Sequence, residues 1–258
     1  MPELPMPSRA TRRIGLIIPS ANRVVEHEVA RHMPSCCQAH VTRLRMTGAN
    51  WVPLDQLLVR AADAALSLVD AGCAAIVFNC TASSMEQGKA GNEALLSCLR
   101  EAAGTAQATT TATAMLDALA ELGARRVVLV TPYSEDVTAR ARAFLQECGI
   151  SVLASVARDV SGKGPYWDIP AASWQAELVA ARHPDADAYV LSCANITCLD
   201  MIAAAEAALG APIVTTNQAV LVQALRLAGV AALPAGLGAL TRVPRAPIDH
   251  DKAAARRP

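Results

Sequence analysis

The sequence predicts an α/β protein made of two pseudo-symmetric Rossmann-like (flavodoxin-like) parallel-sheet domains that face one cleft. Three observations carry that reading. Short Val/Ile/Leu-rich runs alternate with longer alanine-rich runs of helical period, as in parallel sheets covered on both faces by helices. Landmarks of the first half recur in the second at a constant offset: Pro19 and Pro132 lie 113 residues apart, as do Cys80 and Cys193, Arg13 and Arg126, and Leu16 and Leu129. Two apolar, β-prone runs, "AIVFNC" (75–80) and "AYVLSC" (188–193), each stop at a cysteine.

In chain order, "RIGLIIP" (13–19) reads as a strand closed by proline, and "VVEHEVARHM" (24–33) as a helix. "AHVTRLRM" (39–46) alternates as a strand does. The run 53–72 has helical period and ends in a glycine, where a C-cap belongs. A strand follows at 74–80, then a helix at 88–102 and a threonine-capped helix at 109–123. The second half gives a strand (125–132), a helix (134–149) and a strand (150–158). After the loop 159–173 come a strand (187–193), a helix (198–210), a strand (211–217) and a helix (218–229). Each copy of the repeat is expected to run strand, proline loop, helix, strand, helix, strand, cysteine. The expected domains are 12–108 with 217–241, carrying Cys80, and 109–216, carrying Cys193. Residues 1–11 and 242–258 read as flexible tails.

Bulk properties narrow the function. The chain has 258 residues and a formal net charge of zero, without the basic excess of a nucleic-acid binder. No apolar run reaches the roughly 18–20 residues that span a bilayer, and the N-terminus lacks the apolar core of a signal peptide. A cytoplasmic protein is expected, with its eight cysteines as free thiols. No CxxC pair is present, and His27 and His32 are poorly spaced for a metal, so no metal site is expected.

In open parallel sheets, ligands bind beyond the carboxyl ends of the strands. Cys80 and Cys193 therefore face the cleft, and the repeat brings them to opposite sides of one pocket. A thiol with a pKa near ~8.5 can act as acid, base or nucleophile. Two opposed thiols suit racemisation, epimerisation or cis–trans isomerisation of a small carboxylate, and this chemistry needs no cofactor. Loops after strands supply polar groups for such a substrate: Ser20 and Asn22; Thr81, Ser83 and Ser84; Tyr133 and Ser134; Ala194, Asn195 and Thr197; Thr215, Thr216 and Asn217. The loop 159–173, with Lys163, Tyr166 and Trp167, reads as a lid, and Lys163 as an electrostatic clamp. Cys198 and the five remaining cysteines read as packing or incidental residues.

From about residue 13 to 240 the chain resembles the aspartate/glutamate racemase superfamily, in its maleate isomerase and arylmalonate decarboxylase branch. "PSANRVVEHE" is similar to that branch's opening Pro-Ser-Ser-Asn-Thr-Thr-x-Glu-x-Glu at Pro19, Ser20, Asn22, Glu26 and Glu28. "NCTASSMEQG", "VTPYSEDV", "LSCANIT" and "PIVTTNQAV" resemble its first-cysteine, Thr-Pro-Tyr, second-cysteine and closing motifs. The resemblance implies that Cys80 is the thiolate and Cys193 the opposing acid. It implies that Asn22 and Tyr133 hold one carboxylate, Thr81 and its neighbours the other, and that the chain is a homodimer or homotetramer. Decarboxylases of the branch usually keep only the second cysteine, so two cysteines favour maleate-type isomerisation. An amino-acid racemase (aspartate/glutamate- or ectoine-derived) and an arylmalonate-type decarboxylase are the alternatives. The loop 159–173 departs from the isomerases by lacking their asparagine. Outside catalysis, a carboxylate-binding or a thiol redox-sensing protein would also carry such a cleft.

Overall fold

The structure, a computed structural model, describes residues 11–46, 52–160 and 166–244. The first sheet contains β1 (Arg12–Pro19), β2 (Cys37–Leu44), β3 (Ala75–Phe78) and β4 (Gln107–Thr110), in the order β2-β1-β3-β4. The second contains β5 (Arg126–Thr131), β6 (Ser151–Ala157), β7 (Ala188–Leu191) and β8 (Ile213–Thr215), in the order β6-β5-β7-β8. Every pairing is parallel. The repeat extends to register: Ile17 pairs with Phe78, and the residues 113 positions on, Val130 and Leu191, pair with each other. The predicted fold class and repeat are thus what the chain adopts.

Burial follows position in the sheet. The inner strands β3 and β7 are buried at every residue, β2 and β6 at one edge are mostly half-exposed, and β4 and β8 at the other edge are buried where the crossing helices pack on them. The helices α1 (Val25–His32), α2 (Leu54–Asp70), α3 (Thr81–Met85) and α4 (Gly88–Ala103) serve the first half. Gly15 lets α2 lie close on β1, because a Cβ there would stand 2.8 Å from Leu68 Cδ1. In the second half come α6 (Glu135–Glu147), α7 (Ala171–Ala180) and α8 (Ile202–Leu209). The remaining two helices, α5 (Thr111–Glu121) and α9 (Thr216–Leu227), cross over. α5 leaves the first sheet and packs on β8 of the second, while α9 leaves the second and packs on β3 and β4 of the first. The two also pack on each other.

Several boundaries differ from expectation for physical reasons. The threonine run assigned to one helix (109–123) is split: Thr109 and Thr110 end β4, and the Thr110 hydroxyl accepts from Thr113 N to cap α5. β-Branched threonine suits both a strand end and an N-cap. β2 runs 37–44 instead of 39–46, paired with β1 from Arg12 to Pro19. β3 and β7 stop two residues before their cysteines, and Cys80 is the N-cap residue of the unforeseen α3. The expected helix 198–210 opens as a 3-10 turn (Leu199–Met201) before α8. The segment read only as a long loop carries a turn at Tyr166–Asp168 and then α7. Trp174 and Leu178, one helical turn apart, are the buried residues of α7. Most of the two expected tails lies outside the described residues.

Trp174 is fully buried and anchors α7, so Trp174→Ala should lower stability by about 3–5 kcal/mol. Urea unfolding would show this as a lower midpoint at unchanged slope. A loss under about 1 kcal/mol would contradict a core role for α7.

Candidate active site

β3 and β7 end at equivalent positions of the repeat, each followed by a polar residue and a cysteine. Asn79 and Cys80 follow Phe78, and Ser192 and Cys193 follow Leu191. Cys80 retains partial exposure, whereas Cys193 is buried. The two sulfurs are near enough that charge on Cys80 raises the pKa of Cys193.

The surroundings of the two thiols echo each other. Burial raises the Cys80 pKa, opposed by the Ser83 hydroxyl, 3.2 Å from the sulfur, and by the Ser83 amide. Burial also pushes Cys193 up to about 11, against hydrogen bonds from the Tyr133 side chain and from Asn195 N, the latter at 3.3 Å. Desolvation disfavours the thiolate and each donor favours it. Here desolvation outweighs the donors at both sulfurs.

The other expected residues make structural bonds, several of them to the cysteine loops. The Asn22 Oδ1 accepts from Val24 N and Val25 N, both at 3.0 Å, and its amide donates to Ala194 O at 3.1 Å. Asn22 thus starts α1 and holds the second-cysteine loop, with one amide hydrogen left over. Asn195 Oδ1 accepts from Arg23 N at 2.8 Å. The Thr81 hydroxyl donates to that of Thr216 at 3.2 Å, and Ser84 folds back on Thr81 O. Ser20 is committed to the end of β2, donating to Met46 O and accepting from Met46 N. Lys163 lies outside the described residues. Its neighbour in sequence Trp167 stacks under the Arg23 guanidinium, 4.4 Å from the ring centroid, joining the second-half loop to the entry of α1. A groove between α3 and α6 is lined by Thr81, Met85, Tyr133, Val137 and Arg140. The Arg140–Glu86 ion pair also joins these two helices, at 3.3 Å.

Asn217, one of the expected polar residues, donates to Ile196 O at 3.4 Å. Thr111, which the sequence does not single out, donates to Phe78 O and to Asn79 Oδ1, next to Cys80 in sequence. Thr111 and Thr216 stand at the same place after β4 and β8, a match at an offset of 105, which the 113-residue spacing hides. Among the described residues no group of three or more His, Cys, Asp or Glu side chains is placed to hold a metal ion. No helix among them is long and apolar enough to cross a membrane.

Two like-ordered parallel sheets, each followed beyond an inner strand by a cysteine, define an α/β protein of the aspartate/glutamate racemase type. The chain belongs to the arylmalonate decarboxylase family, which it matches over residues 14–241. It is 33% identical to arylmalonate decarboxylase of Bordetella bronchiseptica over 226 residues, covering 87% of this chain and 93% of that protein. Maleate isomerase of Nocardia farcinica is 29% identical over 240 residues, covering 90% and 96%. Among solved structures, a glycine-to-cysteine mutant of arylmalonate decarboxylase with associated sulfate superposes with a TM-score of 0.82 at 33% identity, covering 89% of this chain and 99% of that one. A cysteine-to-serine mutant of the Nocardia farcinica maleate cis–trans isomerase, holding a covalently bound succinylcysteine intermediate, superposes at 0.82 and 26% identity, covering 91% and 100%.

The Tyr133 bond to Cys193 favours the thiolate. Tyr133→Phe should therefore raise the Cys193 pKa further and slow its alkylation at fixed pH. Peptide mapping after iodoacetamide treatment across pH 7 to 10 checks this, because rate follows the thiolate fraction. Faster labelling of Cys193 in the variant would contradict the assigned bond.

Proposed function

We propose that the chain is a cofactor-independent isomerase of a small dicarboxylate, acting by maleate-type cis–trans isomerisation with Cys80 as nucleophile and Cys193 as opposing acid. The carrying observation is the pair of electrostatically coupled thiols, each with its own hydrogen-bond donors. The succinylcysteine seen in the Nocardia isomerase supports thiolate addition as the route. Deprotonated Cys80 adds to one alkene carbon, forming the S–C bond. The π pair moves to the other carbon and is delocalised into its carboxylate. Rotation about the new single bond, followed by loss of the sulfur with its bonding pair back on Cys80, gives the trans acid. Cys193 can lend a proton to the carbanion and recover it before elimination. Thr81 and Ser83 on one side, and Asn22, Tyr133, Ala194 and Asn195 on the other, hold the carboxylates, with Lys163 as a further contact.

Decarboxylation is the second reading, favoured by the 33% identity to arylmalonate decarboxylase. There the carbanion left by CO2 would take its proton from Cys193 alone. Amino-acid racemisation, with the thiols as opposed base and acid, is the third. With any of these goes a cytoplasmic homodimer or homotetramer, for which eight unpaired thiols favour a reducing compartment. The working lobes are 12–108 with 217–241, and 109–216.

Proton NMR of the reduced protein with maleate should show fumarate appearing. Cys80→Ala should show no turnover, and Cys193→Ala should lose about 10²–10⁴-fold. Unchanged maleate, together with arylmalonate decarboxylation that needs Cys193 but not Cys80, would replace the first reading by the second.

A further inference from the structure

Glu28 is a carboxylate with no part in the chemistry above, yet it is 1% exposed. Burying a charge is costly without hydrogen bonds. Its partners explain why it is kept: Oε2 accepts from Cys198 N at 3.1 Å and from Leu199 N at 3.0 Å. These two amides open the 3-10 turn that leads into α8, and the residue at the N-cap position, Cys198, supplies no side-chain cap of its own. A cysteine is a weak acceptor. The cap therefore comes from α1, about 170 residues earlier in the chain.

The same short segment holds the other end of that loop. Asn22 donates to Ala194 O, and Arg23 N donates to Asn195 Oδ1. Residues 22–28 of the first half thus grip the loop 193–199 of the second half near both ends. Cys193 begins that loop, and its sulfur takes the Asn195 amide. The position of one thiol relative to the half that carries the other is set through these bonds.

We propose that Glu28 is a positioning residue for Cys193, clamping the second-cysteine loop so that its thiol stays set opposite Cys80. For its effect on turnover this rests on the two-thiol reading above; for its effect on the thiol itself it does not.

Glu28→Ala removes the acceptor, whereas Glu28→Gln keeps one oxygen able to take both amides. Each variant is compared with the unmodified chain for maleate turnover, for thermal unfolding and for iodoacetamide labelling of Cys193 against Cys80 by peptide mapping. Glu28→Ala should cut kcat about 10–100-fold, as a misplaced catalytic group does. KM should stay within about threefold, since ground-state binding is not the target. The Cys193-to-Cys80 labelling ratio should shift at least about threefold, because access and donors at one thiol change. Glu28→Gln should restore the ratio and most of kcat.

Three results would overturn the proposal: an unchanged labelling ratio in Glu28→Ala, a Glu28→Gln as impaired as Glu28→Ala, or equal changes at both thiols with early melting, which would mean general loosening. If the unmodified chain leaves maleate untouched, the isomerase reading fails while the labelling ratio still decides the clamp.

Discussion

The architecture depends on burying one helix from every side. All residues of α9 from Thr216 to Leu225 are buried, together with Leu227. A helix in that position cannot leave its end groups to water, so the protein must satisfy them. Thr215 and Gln218 do so with a reciprocal capping box, and the Gln218 amide also donates to Leu237 O at 2.6 Å. Along its length Gln223 donates to Asp117, and Arg226 pairs with Glu121, both residues of α5. Because α9 lies on the first sheet but grows from the second, its first turn touches both cysteine loops. Thr216 meets Thr81, and Asn217 holds Ile196 O. Helix burial and site geometry are one constraint.

Within the site, neutral donors surround both sulfurs, and this shapes the electrostatics. Hydroxyl and amide groups favour a thiolate without fixing it, and burial outweighs them at each cysteine. Each sulfur thus sits between opposing influences, burial on one side and its own hydrogen-bond donors on the other. Arg140, on the groove lined by Thr81 and Tyr133, is engaged with Glu86, and its charge is not among the influences on either thiol.

Much of this was legible in the sequence. Strand–helix alternation and the 113-residue offset point to two parallel sheets of one repeat, while their strand order and register come from the structure. The cysteines were found by the same offset. What was hidden depends on contacts distant in sequence. α7 is faint in the sequence because only Trp174 and Leu178 mark its buried face, in a run that also follows a polar loop. Thr109 and Thr110 joined the wrong element because threonine serves strand ends and caps alike. Asn22 was expected to bind substrate, and nothing local shows that its amide reaches Ala194. Glu28 matched a motif position, but its partners lie in the other half.

The crossing of α5 and α9 bears on ancestry. A half-length chain with one such sheet would send its last helix away from its own strands. Its sheet would stay uncovered until a second copy supplied the same helix in return, an exchange that closes as a twofold dimer. Such a dimer would carry two identical thiols in identical surroundings. Joining the copies end to end frees the two sides to diverge, and here they have: Ser20 stands where the second half has Tyr133, and Thr81 where it has Ala194. The single chain thus holds its two repeat-related cysteines in surroundings that differ.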